Sequence, residues 1–121
     1  MFHARASKAK NLLHVRYSGH VGPEDTQNYA VDLPLKLAKL ESGFRLLTDL
    51  SSLDEMDVAC VPHVKGMMDL CNKKGVKLVV RVIPDPHKDI GMNILSPFHY
   101  RRSVRIVTCE TIAEAMKLLA R

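Results

Sequence analysis

Cys60 is the residue of this chain best placed for nucleophilic chemistry. It opens a stretch of apolar residues at helical spacing, and a thiol at a helix N-terminus can have its pKa lowered. His63 follows at i+3, where it could serve as a base. A working nucleophile needs more than this pair. There is no Cys-x5-Arg phosphate loop and no third group to orient the base, so the residue reads as a packed thiol. A Gly-rich phosphate loop and a nucleophile-elbow serine are also missing from the sequence. The histidines, at positions 3, 14, 20, 63, 87 and 99, show no ligand spacing such as His-x3-His. Neither a metal nor another cofactor is expected, and the chain reads as a non-enzyme.

Asp54, Glu55 and Asp57 are a different kind of signal. They fall together on a chain whose formal net charge is +5. Carboxylates in one short stretch repel an anion and favour a basic protein surface. The plainer reading is that they are solvated or helix-capping charges. The cations are dispersed along the chain, from Lys8 and Lys10 to Arg101, Arg102 and Arg105, and there is no Trp. Stacking platforms for single strands are therefore not expected, and nucleic-acid binding is disfavoured.

The elements that must position these residues follow from periodicity. The 121 residues suit one domain, 1–121, with one core. Residues 2–7 alternate weakly, and Leu13, Val15 and Tyr17 alternate with His14, Arg16 and Ser18, which predicts a hairpin with the first strand near an edge. Residues 19–22 read as an exit loop. Pro23, Glu24 and Asp25 open a helix marked by Ala30, Leu33, Leu37 and Leu40, with a kink or break expected at Pro34. Residues 44–50 form a short apolar strand, and residues 51–57 an acidic loop. Val61, Val64, Met68 and Cys71 mark the next helix, with Met67 and Met68 as core filler. It stops at Lys73-Lys74-Gly75. Residues 76–83 are a β-branched strand, 87–95 a short helix and 103–109 a last strand. Thr111-Ile112-Ala113-Glu114 reads as a capping box, opening a helix with an Ile112, Ala115, Met116 and Leu119 stripe. Strands alternating with helices predict an α/β domain: a mixed, mostly parallel sheet with helices packed on it. Cys60, Cys71 and Cys109 are too few and too scattered for a disulfide framework. No apolar run reaches the ~18 residues of a membrane span. The N-terminus lacks the apolar core of a secretory signal, so a cytoplasmic address is expected.

This order of elements resembles that of STAS domains, the sulfate-transporter and anti-sigma-antagonist family. The segment from Asp49 through Leu50-Ser51-Ser52-Leu53-Asp54-Glu55-Met56-Asp57-Val58-Ala59-Cys60 to Val61 is similar, without a gap, to the family's D-L-S-G-V-x-F-I-D-S-S-G-L. Gly75 to Val80 resembles its G-G-x-L-V-L, and Ile94-Leu95-Ser96-Pro97-Phe98 the end of its short third helix. The resemblance implies a binding module for a protein partner, an anti-sigma factor or another signalling protein. In the family a kinase that is also the anti-sigma factor phosphorylates a Ser or Thr two residues after the motif's aspartate. Here Asp57 matches that aspartate, and Val58 and Ala59 take the two hydroxyl positions. Neither can accept a phosphate, so regulation at the usual site is not expected. Cys60 stands where glycine is usual, and Pro62 sits one residue beyond the motif. The candidate partner surface is Asp54, Glu55, Asp57, Val58, Ala59 and Cys60. The alternative is a STAS-like domain that binds a small molecule or lipid in an apolar pocket between sheet and helices.

Overall fold

The computed structural model describes residues 1–85 and 100–120. The helix expected over 87–95 and the segment 94–98 matched to the family lie outside the described residues. The described elements are β1 (Phe2–Ser7), β2 (Leu12–Val21), α1 (Pro23–Leu37), β3 (Arg45–Met56), a 3-10 turn (Val58–Cys60), α2 (Val61–Lys74), β4 (Leu78–Val82), β5 (Arg105–Cys109) and α3 (Ile112–Leu119). They form an α/β fold around one sheet of five strands, ordered β1-β2-β3-β4-β5. β1 is antiparallel to β2, at an edge, and every other pair is parallel. The strands thus lie side by side in chain order, with no reversal of winding in the parallel part of the sheet.

Alternation along the strands sorts the core into two layers. Leu13, Val15, Tyr17, Leu46, Leu50 and Val79 face one way and meet Tyr29, Leu33 and Leu37 of α1 and Val64, Met68 and Cys71 of α2. Leu47, Val80, Val82 and Cys109 face the other way, against Ala115 and Leu119 of α3. The buried stripe of α1 is Thr26, Tyr29, Leu33 and Leu37, with Ala30 exposed. Met116, read from sequence as part of the α3 stripe, is 44% exposed. The α1 helix passes through Pro34 and ends at Leu37, where Lys39 and Leu40 donate to Lys36 and Leu37 in tightened turns. Gly22 N–H donates to Asp25 Oδ2, closing the helix start. At its other end α2 stops on Gly75, whose φ of 101° is left-handed, as a glycine C-cap should be. On α3, Thr111 Oγ1 accepts from the Glu114 N–H.

The largest departure from the sequence reading is β3. Residues 51–57 were expected to be a loop, and residues 19–22 an exit loop. Instead β3 runs on to Met56 and β2 to Val21, paired as far as Val21 with Met56. The pairing survives because Leu53 is buried (1% exposed), anchoring an otherwise polar run. It also survives two interruptions. Arg16 pairs with Asp49 but Ser18 with Ser52, and Gly19 pairs with Leu53 but His20 with Glu55. Each interruption gives β3 one residue more than β2, a β-bulge. At the first bulge the buried Asp49 accepts from Ser51 N–H (2.9 Å) and Ser51 Oγ–H (2.6 Å). The carboxylate satisfies the amide that the irregular ladder leaves over. At the second, Gly19 takes φ 61°, which costs glycine little.

Candidate functional site

The second bulge decides where the acidic residues go. It absorbs Asp54 and sets Glu55 opposite His20. Beyond Met56 the chain turns: Asp57 N–H donates to Val21 O, and Cys60 N–H to Asp57 O, closing the 3-10 turn that leads into α2. His20 is thereby held between two carboxylates, with Nδ1 3.5 Å from Glu55 and Nε2 3.3 Å from Asp57. Nothing in the local sequence pairs His20 with residues 35 and 37 positions away; only the register does. These three groups each offer a ligand atom, all within 4.8 Å of one another. Divalent cations are held by such sets, but here every side chain is at least 41% exposed, and exposed acidic groups adopt this spacing without an ion.

Around this cluster the surface is mixed. Asp54 and Glu55 are exposed, and Asp57 is partly so. Val58 is 85% exposed, the most exposed large apolar side chain among the described residues, and Ala59 is exposed beside it. The 3-10 turn thus holds an aliphatic side chain in water, next in the chain to the Asp57 carboxylate. Cys60 belongs elsewhere. It is fully buried (0% exposed), and its Sγ lies 3.7 Å from Val21 O, so it supports the turn from beneath and is removed from the contact surface. Burial pushes its thiol up, Asp57 and Asp25 add to that, and the hydrogen bonds from Thr26 and from the Asp57 backbone only partly offset it. The thiolate that nucleophilic chemistry requires is therefore disfavoured. Ser51 and Ser52, the nearest hydroxyls upstream in the chain, are engaged by Asp49 and by Arg16.

Two further regions lie away from this cluster: a pocket between sheet and helices, expected from sequence only as an alternative and without named residues, and a polar sheet face that sequence reasoning missed. An apolar cavity of about 200 Å³ lies between α1 and α2. Its floor includes Tyr17 and Tyr29, of which Tyr29 went unread in the α1 pattern. On the opposite face, the half of the sheet formed by β1 and β2 presents His3, Arg5, His14 and Arg16 around a shallow polar concavity. Alternation along these strands was visible in sequence, but not that α3 would cover only the β3–β5 half. His14 is half-buried there, and burial lowers its pKa from 6.5; nearby Asp49 raises it, while Arg5 and Arg16 lower it further.

A DUF3478-family protein from Shewanella loihica, described as having a SpoIIAA-like fold, superposes with a TM-score of 0.72 at 16% identity, over 98% of this chain and 92% of that one. The anti-sigma factor antagonist SpoIIAA in its unphosphorylated form gives 0.68 at 14% identity, over 99% and 98%. The fold is that of SpoIIAA. An anti-sigma factor antagonist from Mycobacterium paratuberculosis gives 0.62 at 13% identity, over the whole of this chain (100%) and 96% of that one. No protein-family model and no curated protein matches the chain. Among the described residues, no helix is long and apolar enough to cross a membrane.

Proposed function

We propose that this chain is a non-catalytic regulatory module that captures a protein partner through the surface made by Asp54, Glu55, Asp57, Val58 and Ala59. The single observation that carries the reading is Val58, 85% exposed on a hydrogen-bonded turn and following directly on the acidic run that ends at Asp57. An aliphatic side chain kept in water on a closed turn is a ready anchor, worth about 1.5–2 kcal/mol if a partner buries it. The carboxylates around it select a basic rim and penalise acidic ones. The SpoIIAA-like fold supports the same reading, since two solved structures of that fold are anti-sigma factor antagonists. The partner would be an anti-sigma factor or another signalling protein, with a basic surface surrounding an apolar pocket. Switching by phosphate at Val58 or Ala59 is ruled out by their side chains, so control would lie in partner abundance or in another site.

The test is stoichiometric capture from the native host, using the full chain as bait and quantitative mass spectrometry as the readout. Asp57→Lys and, separately, Val58→Ser should each remove the same captured protein. Neither change should lower the melting temperature by more than a few degrees, because both side chains reach solvent. A partner retained by both variants would place the interface elsewhere on the molecule, and the absence of any stoichiometric protein would sink the reading.

A further inference from the structure

The cations that lie dispersed along the sequence are gathered by the fold. In a parallel sheet crossed by helices, strands begin and helices end at one pole of the molecule. Leu12, Arg45, Leu78 and Arg105 stand side by side there, at the starts of β2 to β5. Backbone bonds draw the preceding loops together: Arg45 N–H donates to Asn11 O, Lys77 N–H to Phe44 O and Arg105 N–H to Lys77 O. Arg45, Lys77 and Arg105 line one hollow, and the Arg45 guanidinium ties it to Lys10 O and to Leu119 O at the end of α3. The helices add their own last turns, with Lys73 and Lys74 on α2 and Lys117 on α3. Arg101 joins them, its N–H donating to Asn72 Oδ1 near the end of α2.

Little opposes this charge. In the described loops of this pole, residues 8–11, 38–44, 75–77 and 100–104, Glu41 is the only acidic side chain. The carboxylates collect at the other pole, with Glu24 and Asp25 in the first turn of α1, Asp57 ahead of α2 and Glu114 in the first turn of α3. Helix ends favour cations on their own account, which explains Lys73, Lys74 and Lys117. It does not explain Lys10, Lys77, Arg101 and Arg105, which lie on turns and strand starts and are all exposed. The result is a positive field at one end of the molecule, directed away from the Val58 turn.

We propose that this pole binds the phosphate backbone of double-stranded DNA without reading its sequence. Protein interfaces are depleted of lysine and anchored on aromatic or apolar side chains; this pole is rich in lysine, and its two aromatics, Phe44 and Tyr100, are buried. The lack of exposed rings also removes the stacking on which single strands depend. The turn between β1 and β2 is tied down through Asn11 to Glu41 and Arg45, so no ribbon projects to enter a groove, and phosphates are what remain to be contacted. Four strands at about 4.8 Å spacing make a row about 14 Å long. That length of duplex carries about eight phosphates, of which about four face the protein. The site is at the opposite end from Asp57 and Val58 and does not depend on protein docking there.

The test is fluorescence anisotropy of a short labelled DNA duplex titrated with the full chain. Binding at about 10 µM or tighter in about 50 mM salt should weaken about 150-fold by about 200 mM, the consequence of about four phosphate contacts. Duplexes of unrelated sequence should bind alike, and a single strand of equal length more weakly. Lys77→Ala and Arg105→Ala should each lower the salt slope by about 1, and the double reversal Lys77→Glu with Arg105→Glu should abolish binding without lowering the melting temperature. Lys65→Ala removes the same charge nearer the other end of α2 and should change neither slope nor affinity. Salt-independent binding, a double reversal that binds as the parent does, or a Lys65→Ala loss equal to that of Lys77→Ala would each overturn the proposal. Tighter binding to phosphatidylserine vesicles or to polyglutamate than to the duplex would overturn it as well, assigning the pole to a membrane or to an acidic protein.

Discussion

Asp49 should be the residue whose loss most damages the sheet without leaving a large cavity. Its buried carboxylate accepts from Ser51 N–H at 2.9 Å and Ser51 Oγ–H at 2.6 Å, both across the first bulge of β3. Hydrogen bonds to a charged acceptor contribute about 1.5–3 kcal/mol each. Removing the carboxylate also relieves its own desolvation, and the half-buried Ser51 hydroxyl can recover water. The net expectation for Asp49→Ala is about 2–4 kcal/mol, roughly one to two hydrogen bonds less that relief. Asp49→Asn keeps an acceptor at neutral strength and should cost about half as much. Ser51→Ala removes only the hydroxyl bond, at about 1 kcal/mol. Urea denaturation followed by circular dichroism resolves this order: with a slope of about 1–3 kcal/mol/M, Asp49→Ala should move the midpoint by roughly 1–2 M with the slope unchanged. If Asp49→Ala lies within about 0.5 kcal/mol of the parent, the range of an ordinary surface change, the carboxylate does not clamp the bulge. An Asp49→Asn variant as stable as the parent would show instead that charge plays no part, and equal losses for Asp49→Ala and Asp49→Asn would show that it supplies the whole effect.

Gly75→Ala should lower stability by about 1–2 kcal/mol, because φ 101° is strained for any residue with a Cβ and that Cβ would collide with Ser42 Oγ; thermal melting measures the loss, and Ser42→Gly in the same chain should return only the collision part. His14 has its pKa lowered by burial, so the folded state binds the proton less readily than the unfolded chain. Its contribution is therefore present above the ordinary value of 6.5 and is lost as pH falls below it, and His14→Gln should flatten the decline of melting temperature as pH is lowered below 6.5. Cys60, Cys71 and Cys109 are all buried and unpaired, with thiols pushed up primarily by burial, Cys71 to about 12. Iodoacetamide at neutral pH should label them only at the rate of unfolding, and prompt labelling of Cys60 would revive a nucleophilic role.

Where the chain's signals are local, the sequence was a sufficient guide. The β-branched run before Ile83 and the Lys73-Lys74-Gly75 stop are read from neighbours, and β4 and the α2 C-cap are where they were expected. Thr111 capping through Glu114 is another short-range signal that the structure realises. The second half of β3 was illegible for a physical reason. Its serines and carboxylates have low strand propensity, and two bulges break the period-two alternation that identifies strands. Tyr29 was overlooked because Ala30 also fits a stripe with Leu33 and Leu37. Only packing against β1, where the rings of Phe2 and Tyr29 come together, selects the tyrosine. The candidate site was half visible. The carboxylates and Val58 are consecutive enough to be noticed, whereas His20 joins them through register alone and Cys60 leaves them through burial.

The winding of the sheet carries a consequence for how the chain is made. Because spatial order repeats chain order, each parallel strand docks on the strand that the ribosome released one unit earlier. β2 and β3, once joined over α1, already have the long ladder with both bulges, and nothing synthesised later needs to be inserted between them. Assembly can therefore advance in one direction, with loop closures limited to single crossovers. Until the next strand emerges, the newest one presents a naked hydrogen-bonding edge, and that edge belongs in turn to β3 and then to β4, whose residues Val79 to Val82 are all buried in the finished molecule. A pause in translation that leaves β5 inside the ribosome after β4 has emerged would hold that edge open to other nascent chains. Synonymous changes that slow this stretch should reduce soluble yield while leaving the purified protein identical.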